Sequence, residues 1–364
     1  MELEIVENGT GASITESGWR KFMASVIPGN NRTIFERRCE QILCMTNPVL
    51  LTCFLTISYV TTMQLRVEGS DPFVSQMPYV ATAENGGVYD QVWGTLANGF
   101  YILAYVIVLT CLFLFLYAKR YERTLYGILM GAFVVSISAF VGYWVYSVST
   151  LYRIPVSSIT FFFLMLNLNV AGLVVVYWKP LHQVLFADRF EDSNEYYSNT
   201  MNFFLLLESV ALAWPFACFS EWTVLCTLVL LIIWDLFAVL TPCGPLALIM
   251  KINRERSVRG EDQFELPPGL VYHHRLFNLG TGDITFYSVL IARAALLGYL
   301  NALCCTLSLI SGICLTVVYT ISSSLAAVPA LPIALCFGIF TFFAVRFFLL
   351  PFLNEILVHD HVYL

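Results

Sequence analysis

Long uncharged apolar runs, separated by short polar connections, fill most of this chain. Residues 99–118, 125–147 and 156–178 hold no Lys, Arg, Asp or Glu. Each is long enough to cross a hydrocarbon core of about 30 Å at about 1.5 Å per helical residue. The same reading along the whole sequence predicts about nine spans, near 48–65, 97–118, 125–147, 156–178, 201–220, 222–242, 283–300, 302–325 and 327–351. The first is the weakest, short and rich in threonine. Spans five and six, and spans seven and eight, are joined by only a few residues and must form antiparallel hairpins. The expected fold class is therefore an all-α polytopic membrane protein. Its predicted layout is a tail (1–47), six helices (48–242), a polar loop (243–280), and three further helices with a short tail (281–364). No internal repeat is evident. No loop is long enough for a catalytic domain of its own, so any chemistry belongs in the membrane.

Composition agrees with the pattern. Of 364 residues 58% are hydrophobic and 12% charged, with mean hydropathy +0.74, where soluble domains carry about 45–50% and about 25%. The placement of charge says more than its net value of −6. The N-terminal tail carries Arg20, Lys21, Arg32, Arg37 and Arg38. The second, fourth and sixth connections hold Lys119, Arg120, Arg123, Lys179, Arg189, Lys251, Arg254, Arg256, Arg259 and Arg275, and the opposite side has Arg66 and Arg153. The positive-inside rule then puts the N-terminus in the cytosol and, after nine spans, the C-terminus in the lumen. No basic stretch suits nucleic acid. The 11 cysteines are scattered, without a Cys-x-x-Cys or a zinc-type spacing, so neither a metal nor a cofactor is expected. Met1–Gly11 is polar and acidic, unlike a cleavable signal peptide.

Ionisable groups inside spans cost about 2.5–3.5 kcal/mol on insertion scales and are functional candidates by default. Here they are Glu208, Asp235, Asp283, Arg293 and Arg346. Topology singles out two. Asp235 lies about 9 Å inside the cytosolic end of span six, and Asp283 falls in the first turn of span seven as it re-enters from the same face. Two carboxylates brought together there cannot both ionise cheaply, so the pair shares a proton. One member then takes a proton from water while the other polarises a carbonyl, as aspartic protease chemistry requires. Taken alone, the acids also fit structural hydrogen bonding or a proton relay. In Gly280-Thr281-Gly282-Asp283 two glycines clear space for another backbone. Pro329-Ala330-Leu331-Pro332 opens span nine at the same face, and its prolines are expected to leave carbonyls without intrahelical partners there, ready to pair with an unwound strand. Trp234, beside the first acid, either shapes the cleft or packs. Bundle-interior pairing or snorkelling is expected for Glu208 and Arg346, and a structural counter-charge for Arg293.

Three motifs carry a resemblance. Trp234-Asp235-Leu-Phe-Ala-Val-Leu-Thr-Pro-Cys-Gly-Pro-Leu246, Leu279-Gly-Thr-Gly-Asp283-Ile-Thr-Phe-Tyr-Ser-Val-Leu290 and Val328-Pro-Ala-Leu-Pro-Ile333 resemble the signature motifs of the presenilins. Presenilins are GxGD-type intramembrane aspartyl proteases and the catalytic subunits of gamma-secretase. The resemblance implies that Asp235 and Asp283 are the catalytic pair, supported by Trp234, Gly280, Thr281 and Gly282, and that Pro329, Ala330, Leu331 and Pro332 contact substrate. It further implies cleavage of single-span stubs, Notch-like receptors among them. It also implies a complex with a nicastrin-like glycoprotein and two small multi-pass subunits, residing in the endoplasmic reticulum and Golgi with endosomes or plasma membrane beyond. The sequence departs from the family where Trp234 replaces Tyr, Thr281 replaces Leu and Arg346 stands near an acid of animal members. The loop 243–280 is also shortened where the family carries its self-cleavage site. Two rival readings share these residues. One is a scaffold or ion conductor. The other is a signal-peptide-peptidase-type protease, which resembles presenilin but has the opposite orientation.

The charge placement makes a direct prediction. The sequons at Asn8 and Asn31 stay unglycosylated in a microsomal assay, while an acceptor site appended after Leu364 is glycosylated. Modification at the N-terminal sequons would reverse the orientation.

Overall fold

The computed structural model describes residues 32–64, 88–178, 193–241, 244–245, 248–249, 251–252, 270–274, 277–322 and 331–360. The sequon residues Asn8 and Asn31, most of the first polar loop, much of the loop 243–280, and Pro329 and Ala330 lie outside these residues. The chain divides into two units, Met1–Met45 and Thr46–Leu364. The first contributes the opening turns of α1 (Arg32–Gln64); all packing below belongs to the second.

The described helices are α1, α2 (Val88–Ala118), α3 (Glu122–Leu151), α4 (Ser158–Tyr177), α5 (Ser193–Ala217) and α6 (Glu221–Leu240). After them come α7 (Thr281–Leu297), α8 (Tyr299–Ser322), α9 (Leu331–Ala344) and α10 (Leu350–Asp360). A π-helical turn, Val345–Leu349, joins α9 and α10 into one continuous run. Among the described residues eight helices are long and apolar enough to cross a membrane. The ninth expected span, α7, has 17 residues, about 26 Å of helix. Both expected hairpins form, through Cys218–Ser220 and through Gly298 alone, whose φ of +134° only glycine adopts without strain.

The weak first span shows how a threonine-rich helix suits an apolar medium. The hydroxyls of Thr52, Thr56 and Thr61 donate to carbonyls three or four residues earlier in α1, so each polar group is satisfied within its own helix. Further along, Tyr59 stacks on Phe140 of α3 and meets the edge of Trp214 of α5, and Met63 and Val210 complete that cluster. Phe133, Ile137, Val175, Phe204 and Leu205 form a second core between α3, α4 and α5. Asn169 of α4 ties this region to α3 by donating to Ser138 at 2.8 Å.

Helix α7 is the hub. It packs against α5, α6, α8 and α9, and ten of its residues between Ile284 and Ala295 are buried. The α8–α9 pair beside it is held by small residues and hydroxyls. A Cβ on Gly312 would lie 2.7 Å from the Ala334 Cα, and Ser308 donates to the Phe337 carbonyl at 2.9 Å.

Two features differ from the sequence reading. An antiparallel hairpin, β1 (Val271–His274) with β2 (Phe277–Gly280), occupies the end of the loop and runs into α7, with Val271 opposite Gly280 and Tyr272 opposite Leu279. Regular helix also begins at Leu331, so Pro332 sits inside the first turn rather than breaking it. A missing N–H there has no helical carbonyl to serve in any case.

Gly312→Val drives two methyls into the α9 backbone and should cost about 1–3 kcal/mol, read as a lowered thermal midpoint of detergent-solubilised protein. Gly131→Ala, where an added Cβ meets nothing within 4 Å, should raise stability by less than about 1 kcal/mol.

Candidate functional site

Asp235 lies in the last turns of α6, five residues before its end, and Asp283 in the first turn of α7. The two helices pack on each other. Their relative direction follows from the far end, where Glu221 in the first turn of α6 meets Arg293 near the end of α7 at 3.7 Å. The helices are therefore antiparallel, and both aspartates fall at their other shared end. Asp283 and Asp235 lie within electrostatic reach of each other. Both are partly buried. Oδ2 of Asp235 is buried and accepts no hydrogen bond from any described residue, an uncommon state for a buried carboxylate oxygen.

Tyr287 completes this end of the helix pair. It follows Asp283 by one helical turn, is wholly buried, and lies within electrostatic reach of both acids. The signal for it in the sequence is its i+4 spacing from Asp283, which places the two on one face of α7.

The turn into α7 is fixed by Thr281. Its backbone N–H and its hydroxyl both donate to the Leu270 carbonyl, at 3.1 and 3.0 Å. Its own carbonyl accepts from Ser209 of α5 at 3.4 Å and from Thr285 at 2.9 Å. Thr281 thus joins the hairpin, α5 and α7 immediately before the acid. The flanking glycines leave room rather than close contact. Among the described residues a Cβ on Gly280 would meet only Asp283 itself, its Oδ2 at 3.7 Å, and one on Gly282 would meet nothing within 4 Å. The ring of Trp234 stacks on Phe237 of the same helix at 5.6 Å.

Leu331 and Pro332 are buried at the start of α9. Their run ends against α6 at Glu221, which accepts from Arg346 in the π-helical turn. The proline end of α9 therefore points toward the aspartate end of α6 and α7. Pro329 and Ala330 lie outside the described residues. Arg293 and Arg346, expected as structural charges, converge on Glu221. Sequence reading missed this acid because it stands at the mouth of the span, although Ser220-Glu221 is a recognisable helix start. Glu208 lies on α5, in electrostatic reach of Tyr177 of α4. Among the described residues no three His, Cys, Asp or Glu side chains converge as a metal site.

A cleft of about 610 Å³ runs along α6, walled by Val92, Thr95 and Leu96 of α2, by Trp222, Leu225, Cys226, Val229 and Leu230 of α6, and by Phe343. Its side chains are almost all apolar. Leu230 brings it to within five residues of Asp235.

Comparison with known proteins now bears on this geometry. The presenilin family model matches residues 36–187, 196–277 and 259–353. Presenilin-B of Dictyostelium discoideum is 32% identical over 260 residues, 70% of this chain and 50% of its own length. A presenilin-like protein of Arabidopsis thaliana is 22% identical over 89% of this chain and 96% of its own length. The sel-12 presenilin of Caenorhabditis elegans is 20% identical over 85% and 86%. The chain thus spans about half the length of the first of these relatives and most of the other two.

Thr281→Val removes one of the two bonds to the Leu270 carbonyl and should cost about 1 kcal/mol. Amide exchange in β1 and β2 would then quicken about fivefold, while Thr281→Ser leaves it unchanged.

Proposed function

The chain belongs to the presenilin family, and from that premise we propose that it is an intramembrane aspartyl endopeptidase with Asp235 and Asp283 as its catalytic pair. The observation that carries this reading is the meeting of the two acids at one end of the antiparallel α6–α7 pair, each in reach of the other and of Tyr287. Two acids so close share one proton. The ionised carboxylate takes a proton from a water molecule, whose oxygen attacks the scissile carbonyl carbon. The protonated carboxyl gives its hydrogen to the carbonyl oxygen, and a tetrahedral diol forms. The first carboxyl then passes its proton to the amide nitrogen while the second takes one back from the diol, so that the C–N bond breaks, carboxyl and amine ends leave, and the pair returns to its starting state. Either aspartate fits either part. Tyr287, in electrostatic reach of both, steadies the charge they share.

The substrate class follows from the surroundings. The apolar cleft between α2 and α6 suits a single transmembrane helix arriving from the bilayer. The open space beside Gly280 and Gly282 admits its backbone, which must unwind because a helix hides its carbonyls in i→i+4 bonds. The hairpin edge offers backbone groups for the unwound strand to pair with, and residues 329–332 are assigned a share of the substrate contact by the resemblance to the family. On this reading the substrates are single-span stubs. The N-terminus faces the cytosol, and the chain works in secretory-pathway membranes with a nicastrin-like glycoprotein and two small multi-pass subunits.

The test is cleavage of a single-span stub in membranes carrying the full chain, with and without those subunits. Asp235→Asn and Asp283→Asn should each abolish it, a loss of about 10²–10⁴-fold or more. Equal cleavage by wild type and both variants would reject the protease. Full complementation of a null cell by both variants would favour a scaffold or ion conductor.

A further inference from the structure

The charged cluster at the far end of α6 and α7 takes no part in the chemistry above. Glu221 accepts from Arg346 through Oε1 and lies 3.7 Å from Arg293 through Oε2. The side chains are mostly shielded, with exposures of 11% for Glu221, 17% for Arg293 and 30% for Arg346. Buried ion clusters add little net stability compared with apolar packing, but losing one member strands the others at considerable cost. Such a cluster therefore selects one arrangement of the elements that supply it.

The elements supplying it are those that build the site. Glu221 precedes Asp235 by 14 residues, about 21 Å along α6 and within about 40° of the same face. Arg293 follows Asp283 by 10 residues, about 15 Å along α7. Arg346 follows Pro332 by 14 residues, about 21 Å along the last helical run. A slip of α6 by one residue turns it by about 100°, carrying Glu221 and Asp235 off the α7 side together. A tilt of about 3° about the cluster moves an acid by about 1 Å over that length, and misplacement on this scale can cost about 100-fold in rate. The π-helical turn seats Arg346. Pro351 has no N–H to give, and the wide turn, closed by Leu350 N–H to the Val345 carbonyl, absorbs the loss.

We propose that Glu221, Arg293 and Arg346 form a positioning cluster that sets the rotation and register of α6 against α7 and the last helix, and thereby the separation of the two aspartates. The inference rests on the function proposed above and deepens it. Its chemistry is wholly structural: the cluster touches neither substrate nor the reacting atoms.

The experiment compares Glu221→Gln, Arg346→Met and Arg346→Lys in the full chain, in membranes, with a single-span stub over a range of concentrations. Rates are normalised to folded protein. The two charge-removing variants should lower kcat by about 10–100-fold with KM within about twofold, because binding along the cleft is intact and only alignment is lost. Arg346→Lys, which keeps the charge, should restore more than half of kcat. Wild-type kcat in either charge-removing variant would overturn the proposal. So would a loss confined to KM, or failure of Arg346→Lys to rescue. If Glu221→Gln does not accumulate, Arg346→Met and Arg346→Lys decide. If neither charge-removing variant accumulates, the cluster is a folding element and the positioning role is rejected. Asp235→Asn runs alongside: persistent cleavage there would sink the protease reading itself, whatever the cluster variants do.

Discussion

A helix of 17 residues with an aspartate in its first turn is too short and too polar to face lipid by itself, and the architecture follows from shielding it. Helices α5, α6, α8 and α9 all pack on α7. The close packing of α9 is aided by Gly338, where an added Cβ would run into a methyl of Leu290 on α7 and force that side chain to turn aside. Burial by protein replaces burial by membrane, and it leaves one end of α7 open to chemistry while its sides are sealed. The lipid-facing character of α4, with Ile159, Phe162, Phe163 and Val170 exposed, is the complement of that arrangement.

Polar groups divide into two kinds under this constraint. Most are satisfied locally, as in the threonine hydroxyls of α1, or across one helix pair, as in Thr341 to Ser308 at 2.7 Å. The charged groups are partitioned by depth. At one end Glu221 pairs with arginines from two other elements; at the other, two acids are brought together and one buried carboxylate oxygen is left unengaged by any described residue. Matching opposite charges holds helices in place, whereas juxtaposed acids store reactivity. The same pair of helices does both because their antiparallel packing separates the two clusters by about 15–21 Å along the helices.

The entrance to α7 joins rigid and open features. Thr281 binds hairpin, α5 and α7 through four hydrogen bonds, while the glycines on either side leave space. An acid held on a fixed helix beside an accessible gap is what cleavage of an incoming backbone demands. Thr281, a departure from the family's leucine, is thereby integrated into the fold: its hydroxyl gains a second bond to a carbonyl that its amide already holds.

The sequence by itself determined the membrane class, the places of most of the apolar helices and the two tight hairpins, because hydrophobic length and charge are local properties. It also marked Asp235 and Asp283, since an acid inside an apolar run is conspicuous without any knowledge of packing. The hairpin 271–280 escaped it, because Val-Tyr-His-His and Phe-Asn-Leu-Gly are too short for a periodic signal and gain stability from each other, from α5 and from α7. Glu221 and Tyr287 escaped it for a related reason. A glutamate at a span's mouth and a tyrosine inside one are ordinary residues until a partner helix brings Arg293 and Arg346, or two aspartates, to meet them. Only the tertiary structure decided those meetings, because charges interact across distance in space and not along the chain.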